Sequence, residues 1–477
     1  MEEKQCEKRN RMEGCAEGHN LTSASNSHPY RRRLLALAIP IVIQNLLSSC
    51  VNSADVLMLN FVGQDAISAV SLASQFSTIL FMFYYGLGAG ATMLCAQYYG
   101  KGNMDAIRVV EGIALRFSVL ISAGMAAAVL LIPGTMMRIY TNDPVLIELG
   151  ISYLRYVGPA YLCWGLIEVY LAVLRSMGRV RVAMAMNVMA FTLNIIFNAI
   201  FIFGLFGAPK MGAAGVALGT TLSRAIELAG CLVVSKSSSD IKLDLRYMFR
   251  RNGILFKDFI DMAIPATAND VIWGLAFSVY SVILGHLGSD AVAANSLVSV
   301  VRNFGTVMCF ALASAGGIML GQILGEGHLE EGREAAKELM LQTIVSACLG
   351  ALIILAVMPF ALHFASLSEV SMGYLKWMLL INVYYIFGPA INTTLMCGVF
   401  RSGGDSKYGV KVDLIDMWCY AVPLGLINAF VLKLPVMWVY FFMCTDEFVK
   451  WPWVFAHYRS GKWLKNITRD DWDREQQ

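Results

Sequence analysis

The sequence predicts an all-α integral membrane protein, with twelve transmembrane helices in two pseudo-symmetric six-helix bundles, and three observations lead there. Its 477 residues are 57% hydrophobic and only 15% charged, with a mean hydropathy of +0.59. Soluble domains carry roughly 45–50% apolar and about 25% charged residues. The apolar residues come in blocks of about 20–28, the length at which a helix crosses a hydrocarbon core. The chain also repeats itself: sliding it by 225 positions aligns AIPIVIQNLL at 38 with AIPATANDVI at 263 and VGQDAISAVSLAS at 62 with LGSDAVAANSLVS at 287. QYYGKG at 97 falls on QILGEG at 322, and 16 positions between 36 and 103 are identical without a gap.

The first bundle begins after Arg31-Arg32-Arg33 with a helix near 33–59, in which Asp55 is the single charge between Leu34 and Leu59. Helices near 66–92 and 106–132 are parted by Lys101 and Arg108. A fourth, near 147–173, is followed by Arg175, Arg179 and Arg181, and helices near 181–206 and 212–235 complete the bundle. A charged run from Lys236 to Lys257 leads into the second bundle, with helices near 257–286, 291–323, 338–364, 373–399, 408–431 and 435–458. Its basic loops hold Arg333 and Lys337, then Arg401, Lys407 and Lys411, then Arg459, Lys462 and Lys465. All these loops fall on one side, while the opposite loops offer Lys210 and Lys433 and little else. The positive-inside bias then puts both termini of a multi-pass protein in the cytoplasm. Several spans contain Pro or Gly, which membrane helices tolerate.

The domain plan is a disordered tail 1–30, an N-terminal lobe 31–235, a linker 236–256, a C-terminal lobe 257–460 and a tail 461–477. A second echo, SYLRY at 152 with GYLKW at 373 and LRSMG at 174 with FRSGG at 400, supports the division. Six is even, so both copies enter the membrane from the same side, as in transporters that rock two lobes about a central site. In the linker, Ile241, Leu245, Met248 and Phe249 are spaced as in a short surface helix, although a solvated loop fits equally well.

Eleven cysteines lie mostly inside apolar blocks without regular pairing and read as small packing residues. The net charge of +3 is small and its Lys and Arg residues sit in loops, so nucleic acid is not an expected partner. Six scattered histidines, no HExxH spacing and no phosphate-binding loop argue against an enzyme or an ATP-driven machine. No cofactor is expected, and the energy source left is a proton or sodium gradient.

Taken in order and in both halves, these motifs resemble the multidrug and toxic compound extrusion family of efflux transporters over positions 33–460. The resemblance is carried by Pro40, Asp55 and Gly63, QYYGKG at 97, Arg175 with Gly178, NVMAFTLNIIFNAIFIFG at 187 and GAAGVALGT at 212, ending on Thr220. RSGGD at 401, Asp413, Pro423 and RSGKWLKNIT at 459 are similar to the branch related to the DNA-damage-inducible F proteins. It implies two bundles forming a V, alternating access, and a monomer that exports drug-like, often cationic and lipophilic compounds in exchange for protons.

An ionised carboxylate in hydrocarbon is costly, so Asp55 has a task or a partner. In proton-coupled relatives an early Pro, a first-helix Asp, a Tyr opening the fourth helix and an Asn and Asp on the fifth form one network. Pro40, Asp55, Tyr153 and Asn194 match it, and Asn198 stands where the second acid is expected. An amide cannot titrate. Either Asp55 alone carries the proton, or amide and carboxylate oxygens hold sodium, or the polar groups merely fix packing. The acids that sodium-linked relatives carry in the second lobe are replaced by Trp273 and Ala390.

Other charged residues have two readings each. Asp270 and Arg302 either neutralise one another or serve substrate or proton binding; Asp413 and Asp416 form a titrating pair or a cytoplasmic ion-pair cluster with Lys407 and Lys411. Glu168, seven residues before Arg175, attracts a cationic compound or makes a structural pair, and Arg224 and Glu227 satisfy each other. Twenty-six methionines suit a pliable pocket, although most are filler. A flippase for a lipid-linked molecule is a further alternative and requires a cationic lining, for which Arg302 is the chief second-lobe candidate.

Overall fold

The computed structural model describes residues 29–237, 245–250, 252–365 and 367–472. The expected N-terminal tail through residue 28 and the linker segment holding Ile241 lie outside the described residues. Twelve helices run through the described part. In the first lobe they are α1 Pro29–Asn60, α2 Gln64–Gly100, α3 Met104–Leu131, α4 Pro144–Ser176, α5 Val180–Phe203 and α6 Ala213–Ser237. In the second they are α7 Gly253–Leu287, α8 Ser289–Gly325, α9 Leu329–Phe364, α10 Glu369–Phe400, α11 Ser406–Val431 and an interrupted α12. That last helix comes in three pieces, Val436–Met443, Asp446–Val449 and Trp451–Ser460. The first eleven are long and apolar enough to span a membrane. The interruption of α12 falls where Asp446, Glu447 and Lys450 enter an otherwise apolar run.

Local chemistry sets many of the helix starts. Asn103, Asp143, Asn252 and Ser368 each accept a hydrogen bond from a backbone N–H in the first turn of α3, α4, α7 and α10, satisfying groups the helix leaves unpaired. Linker residues Leu245–Phe249 form a short 3₁₀ helix whose Tyr247 and Met248 pack on the first-lobe core while Phe249 stays exposed. The nine described cysteines are all unpaired.

The lobes exchange the starts of their first helices. Leu34, Leu37, Ala38 and Ile41 of α1 pack with α8 and α10 in the second-lobe core. Reciprocally, Leu255, Phe259 and Ala263 of α7 pack with α2, α3 and α4 in the first-lobe core. Farther along the helix the direction changes, and Leu59 at the far end of α1 belongs to a cluster made entirely of first-lobe residues. Pro40 therefore lies near the end of the stretch held by the second lobe, before the stretch held by the first.

Glycines bring the lobes into contact at the end carrying the basic loops. Gly90 faces Ala263, Gly100 faces the backbone of Gln322, Gly325 faces the backbone of Gln97, and Gly321 faces Ala96. Gln97 and Gln322, repeat partners 225 residues apart, each bond across the junction. Gln97 Nε2 donates to Ser402 O at 2.7 Å, while Gln322 Oε1 accepts from Arg33 at 2.7 Å and its Nε2 donates to Ser176 O at 2.7 Å. Residues 461–472 then run across this end as a strap. Trp463 is buried in the second-lobe core and Trp472 in the first-lobe core. Between them Ile467 N donates to Gln97 Oε1 at 2.8 Å and Arg469 pairs with Asp258 at 2.8 Å. The glycine contacts between lobes begin at Gly274 beside Met82 and run toward this basic end. The opposite half of α2, from Ala66 to Leu80, packs within the first lobe.

Candidate functional site

In the first lobe α1, α5 and α6 converge on Asp55. Asn198 Nδ2 donates to Asp55 Oδ1 at 2.7 Å and lies 3.2 Å from Asn194 Oδ1. Asn194 Nδ2 donates to Thr220 Oγ1 at 3.2 Å, and Thr220 returns its proton to Val216 O at 2.9 Å. Asn194 and Asn198 are one turn apart and therefore share a face of α5. Gly219 brings α6 against them: a Cβ there would lie 3.0 Å from Asn198 N. Tyr153 is buried within electrostatic reach of Asp55. Asn198 Oδ1 is buried and has no partner among the described residues. Pro40 lies fifteen residues from Asp55 on the same helix, about 22 Å along its axis. The structure thus gathers Asp55, Asn194, Asn198 and Thr220 into one hydrogen-bonded chain, with Tyr153 beside it and Pro40 linked through α1.

Four other charges of this lobe pair off. Arg175 lies 3.7 Å from Glu168, and Arg224 binds Glu227 at 2.7 Å. Trp164 joins the two pairs, donating to Glu168 at 3.3 Å and lying under the Arg224 guanidinium at 4.9 Å. Two acids meet two bases, so Glu168 has a cationic partner within its own helix.

The second lobe differs from three sequence expectations. Asp270 pairs with Arg401 at 2.8 Å rather than with Arg302. Arg302 instead lies over the Phe277 ring at 5.9 Å and forms no ion pair among the described residues. The cause is packing: α7 packs against α11 at this level, and Arg401 is a 5% exposed residue at the end of α10 rather than a loop residue. Asp413 and Asp416 also leave the expected cluster with Lys407 and Lys411. Both are buried and share Lys450, at 3.0 and 3.7 Å, while Lys407 pairs with Asp261. The cations of this lobe's interior are therefore Arg401 and Lys450. Trp273 and Ala390 occupy the places noted above, the first 38% exposed and the second buried.

Lys450 is a hub that sequence reasoning missed. It also lies 3.1 Å from Glu447, whose carboxylate accepts from Asn392 at 2.6 Å. Asp413 accepts from Asn269 at 2.5 Å, and Asn269 Oδ1 accepts from Arg401 at 3.0 Å. Asp446 accepts from Tyr280 at 3.1 Å. Tyr280 stands 225 residues after Asp55, at the equivalent place of the repeat. The available signal was the run TDEFVK at 445, three charges within a span. Both α10 and α11 widen here into π-helical turns, Thr394–Phe400 just before Arg401 and Leu414–Ala421 around Asp416, and such turns recur at functional sites.

The geometry can now be set beside known proteins. The MatE family model matches residues 40–200 and 265–427, two segments whose starts are 225 residues apart. The chain belongs to the MatE family. Among its relatives are an uncharacterized transporter, YisQ, of Bacillus subtilis, 21% identical over 91% of this chain and 95% of that one. Another is the multidrug resistance protein MdtK of Photorhabdus laumondii, 27% identical over 83% of this chain and 87% of that one. A solved multidrug resistance MATE family transporter in an outward-facing conformation shares the fold, with a TM-score of 0.78 at 20% identity over 91% of this chain and 97% of that one. The MatE chain is a multi-pass membrane transporter and not an enzyme, and the expected helix count and bundle symmetry hold.

Proposed function

We propose that this MatE protein is a secondary active antiporter that exports drug-like, often cationic and lipophilic compounds in exchange for protons, with Asp55 as the coupling group. The multidrug resistance names of relatives such as MdtK support the substrate class. The observation that carries the coupling is the company Asp55 keeps: its described partner is the neutral amide Asn198, backed by Asn194 and Thr220, with no cation in the chain. A carboxylate paired with Arg or Lys stays ionised, whereas one held by amides gains or loses a proton as its access to water changes. Protonation weakens the hold of Asn198 on the far end of α1, and the flexible point on that helix is Pro40. The start of α1 is packed on the other lobe, so a bend there moves one lobe against the other.

In this reading lobes 31–235 and 257–460 rock about the glycine junction, joined by the linker 236–256. The junction end is the cytoplasmic one, both termini lie there, and the membrane is the inner membrane. The described state is closed toward the cytoplasm. The protein works as a monomer without a cofactor, in the branch related to the DNA-damage-inducible F proteins, a reading supported by RSGGD at 401, Asp413, Pro423 and RSGKWLKNIT at 459.

Sodium coupling is the second reading, favoured by the unpartnered Asn198 Oδ1, an oxygen a cation would accept. A flippase has less support, because Arg401 and Lys450 are tied to carboxylates, which leaves Arg302, lying over Phe277, as the second-lobe interior cation without an ion pair among the described residues. Right-side-out vesicles loaded with ethidium under imposed gradients test the proposal. Efflux should follow a proton gradient with sodium absent; efflux that follows sodium alone would transfer coupling to the second reading.

A further inference from the structure

The second-lobe network holds five carboxylates, Asp270, Asp413, Asp416, Asp446 and Glu447, against two cations, Arg401 and Lys450. Fully ionised, it would carry three uncompensated negative charges. Asp413, Asp416, Asp446, Glu447 and Lys450 are each 4% exposed or less. Buried charge without a partner is costly, and a carboxyl so placed keeps its proton instead. The first lobe's quartet of Glu168, Arg175, Arg224 and Glu227 shows no such excess.

Hydrogen bonding separates the five. Asp270 accepts from Arg401, Asp413 from Asn269 and Lys450, Glu447 from Asn392, and Asp446 from Tyr280 and from the Glu447 backbone N–H at 2.7 Å. Asp416 is 0% exposed, and neither of its oxygens has a hydrogen-bond partner among the described residues. Its nearest cation, Lys450 at 3.7 Å, is closer to Asp413 and Glu447. Four of the acids accept hydrogen bonds, and Asp416 alone of the five accepts none among the described residues, which makes it the acid least able to stay ionised.

We propose that Asp416 is a proton-binding site of the second lobe, reached from the space between the lobes through Asp270, Arg401 with Asn269, Asp413 and Lys450. Asp270 is the outlet, its side chain 19% exposed. Tyr85 of α2, 53% exposed and within electrostatic reach of Asp270, Arg401 and Arg175, marks that point as the meeting place of the lobes. Other titratable groups around the cluster are Tyr280 on α7, Tyr385 and Cys397 on α10 and Cys444 on α12, with Arg302 of α8 a layer farther out. None of these donates to Asp416. A metal ion is a poorer occupant than a proton, since no three of the described His, Cys, Asp or Glu side chains come together in a metal-holding group. The site stands on its own geometry, and only its part in transport rests on the proton-coupled reading of Asp55.

Infrared difference spectra between low and high pH, taken on the full chain in lipid nanodiscs, read protonated carboxyls directly by their carbonyl stretch. The expected parent spectrum has two buried carboxyl bands, one lost in Asp55→Asn and the other in Asp416→Asn. In protein labelled with ¹³C-carboxyl aspartate, Asp416→Glu should move the second band from the labelled to the unlabelled frequency, a readout that keeps the carboxyl and does not depend on the amide variant folding. A second band that survives both Asp416 variants overturns the proposal, as does a parent in which Asp55→Asn removes every band. Failure of the Asp55 reading looks different: Asp55→Asn would then export ethidium normally, whatever the Asp416 band does.

Discussion

Replacing Gly90 with alanine should push α2 and the start of α7 apart at the basic end. A Cβ on Gly90 would lie 2.7 Å from Ala263 Cβ and 2.8 Å from its Cα, where ordinary contact begins at 3.4 Å. The backbones of α2 and α7 must therefore separate by about 0.7 Å, the shortfall between 3.4 and 2.7 Å. Overpacking of this kind costs roughly 1–3 kcal/mol. Because Ala263 belongs to the opposite lobe, the cost falls on the state in which the basic end is closed. The equilibrium between closed and open should move by about 5- to 150-fold. Spin labels at Gln64 and Ser289, the first residues of α2 and α8, report the separation at the far end by double electron–electron resonance. Gly90→Ala should enlarge the short-distance population there. Gly124→Ala, whose Cβ would meet nothing within 4 Å, serves as the control. If Gly90→Ala left the distance distribution matching the parent's, the glycine junction would not be what holds the closed state.

Further outcomes follow from the strap and the buried ion pair. Trp472 is 4% exposed in the first-lobe core, so Trp472→Ala should cost about 3–5 kcal/mol of local packing and speed amide hydrogen exchange across 461–472; unchanged protection there would count against the strap. Arg401→Met strips Asp270 of its cation and should cost about 3–5 kcal/mol, seen as a lower melting temperature in detergent. Adding Asp270→Asn should recover most of that loss, and a double variant no more stable than the single one would mean the pair is not the source.

Legibility in the sequence followed the range of the interactions. The twelve helices and the repeat come from composition and from periods within one helix or one half, which a linear reading can see. Asp55 with Asn194, Asn198 and Thr220 was also legible, since a carboxylate alone in an apolar block and amides one turn apart are local signals. The second-lobe partners were not. Asp270 meets Arg401 across 131 residues and Asp413 meets Lys450 across 37, and which helix faces which is set by packing alone. The positive-inside argument also worked against the reading here. It treats each Arg or Lys near a helix end as a loop residue, whereas Arg401 has turned inward to a carboxylate. Lys450 was passed over because one lysine in a short polar break looks like an interfacial anchor until Asp413, Asp416 and Glu447 are seen around it.

The most direct test of the coupling claim is ethidium efflux from loaded right-side-out vesicles under an imposed proton gradient, comparing the parent with Asp55→Asn at equal expression. The account predicts that the variant loses gradient-driven efflux while still binding ethidium. Efflux by the variant at the parent's rate would contradict it.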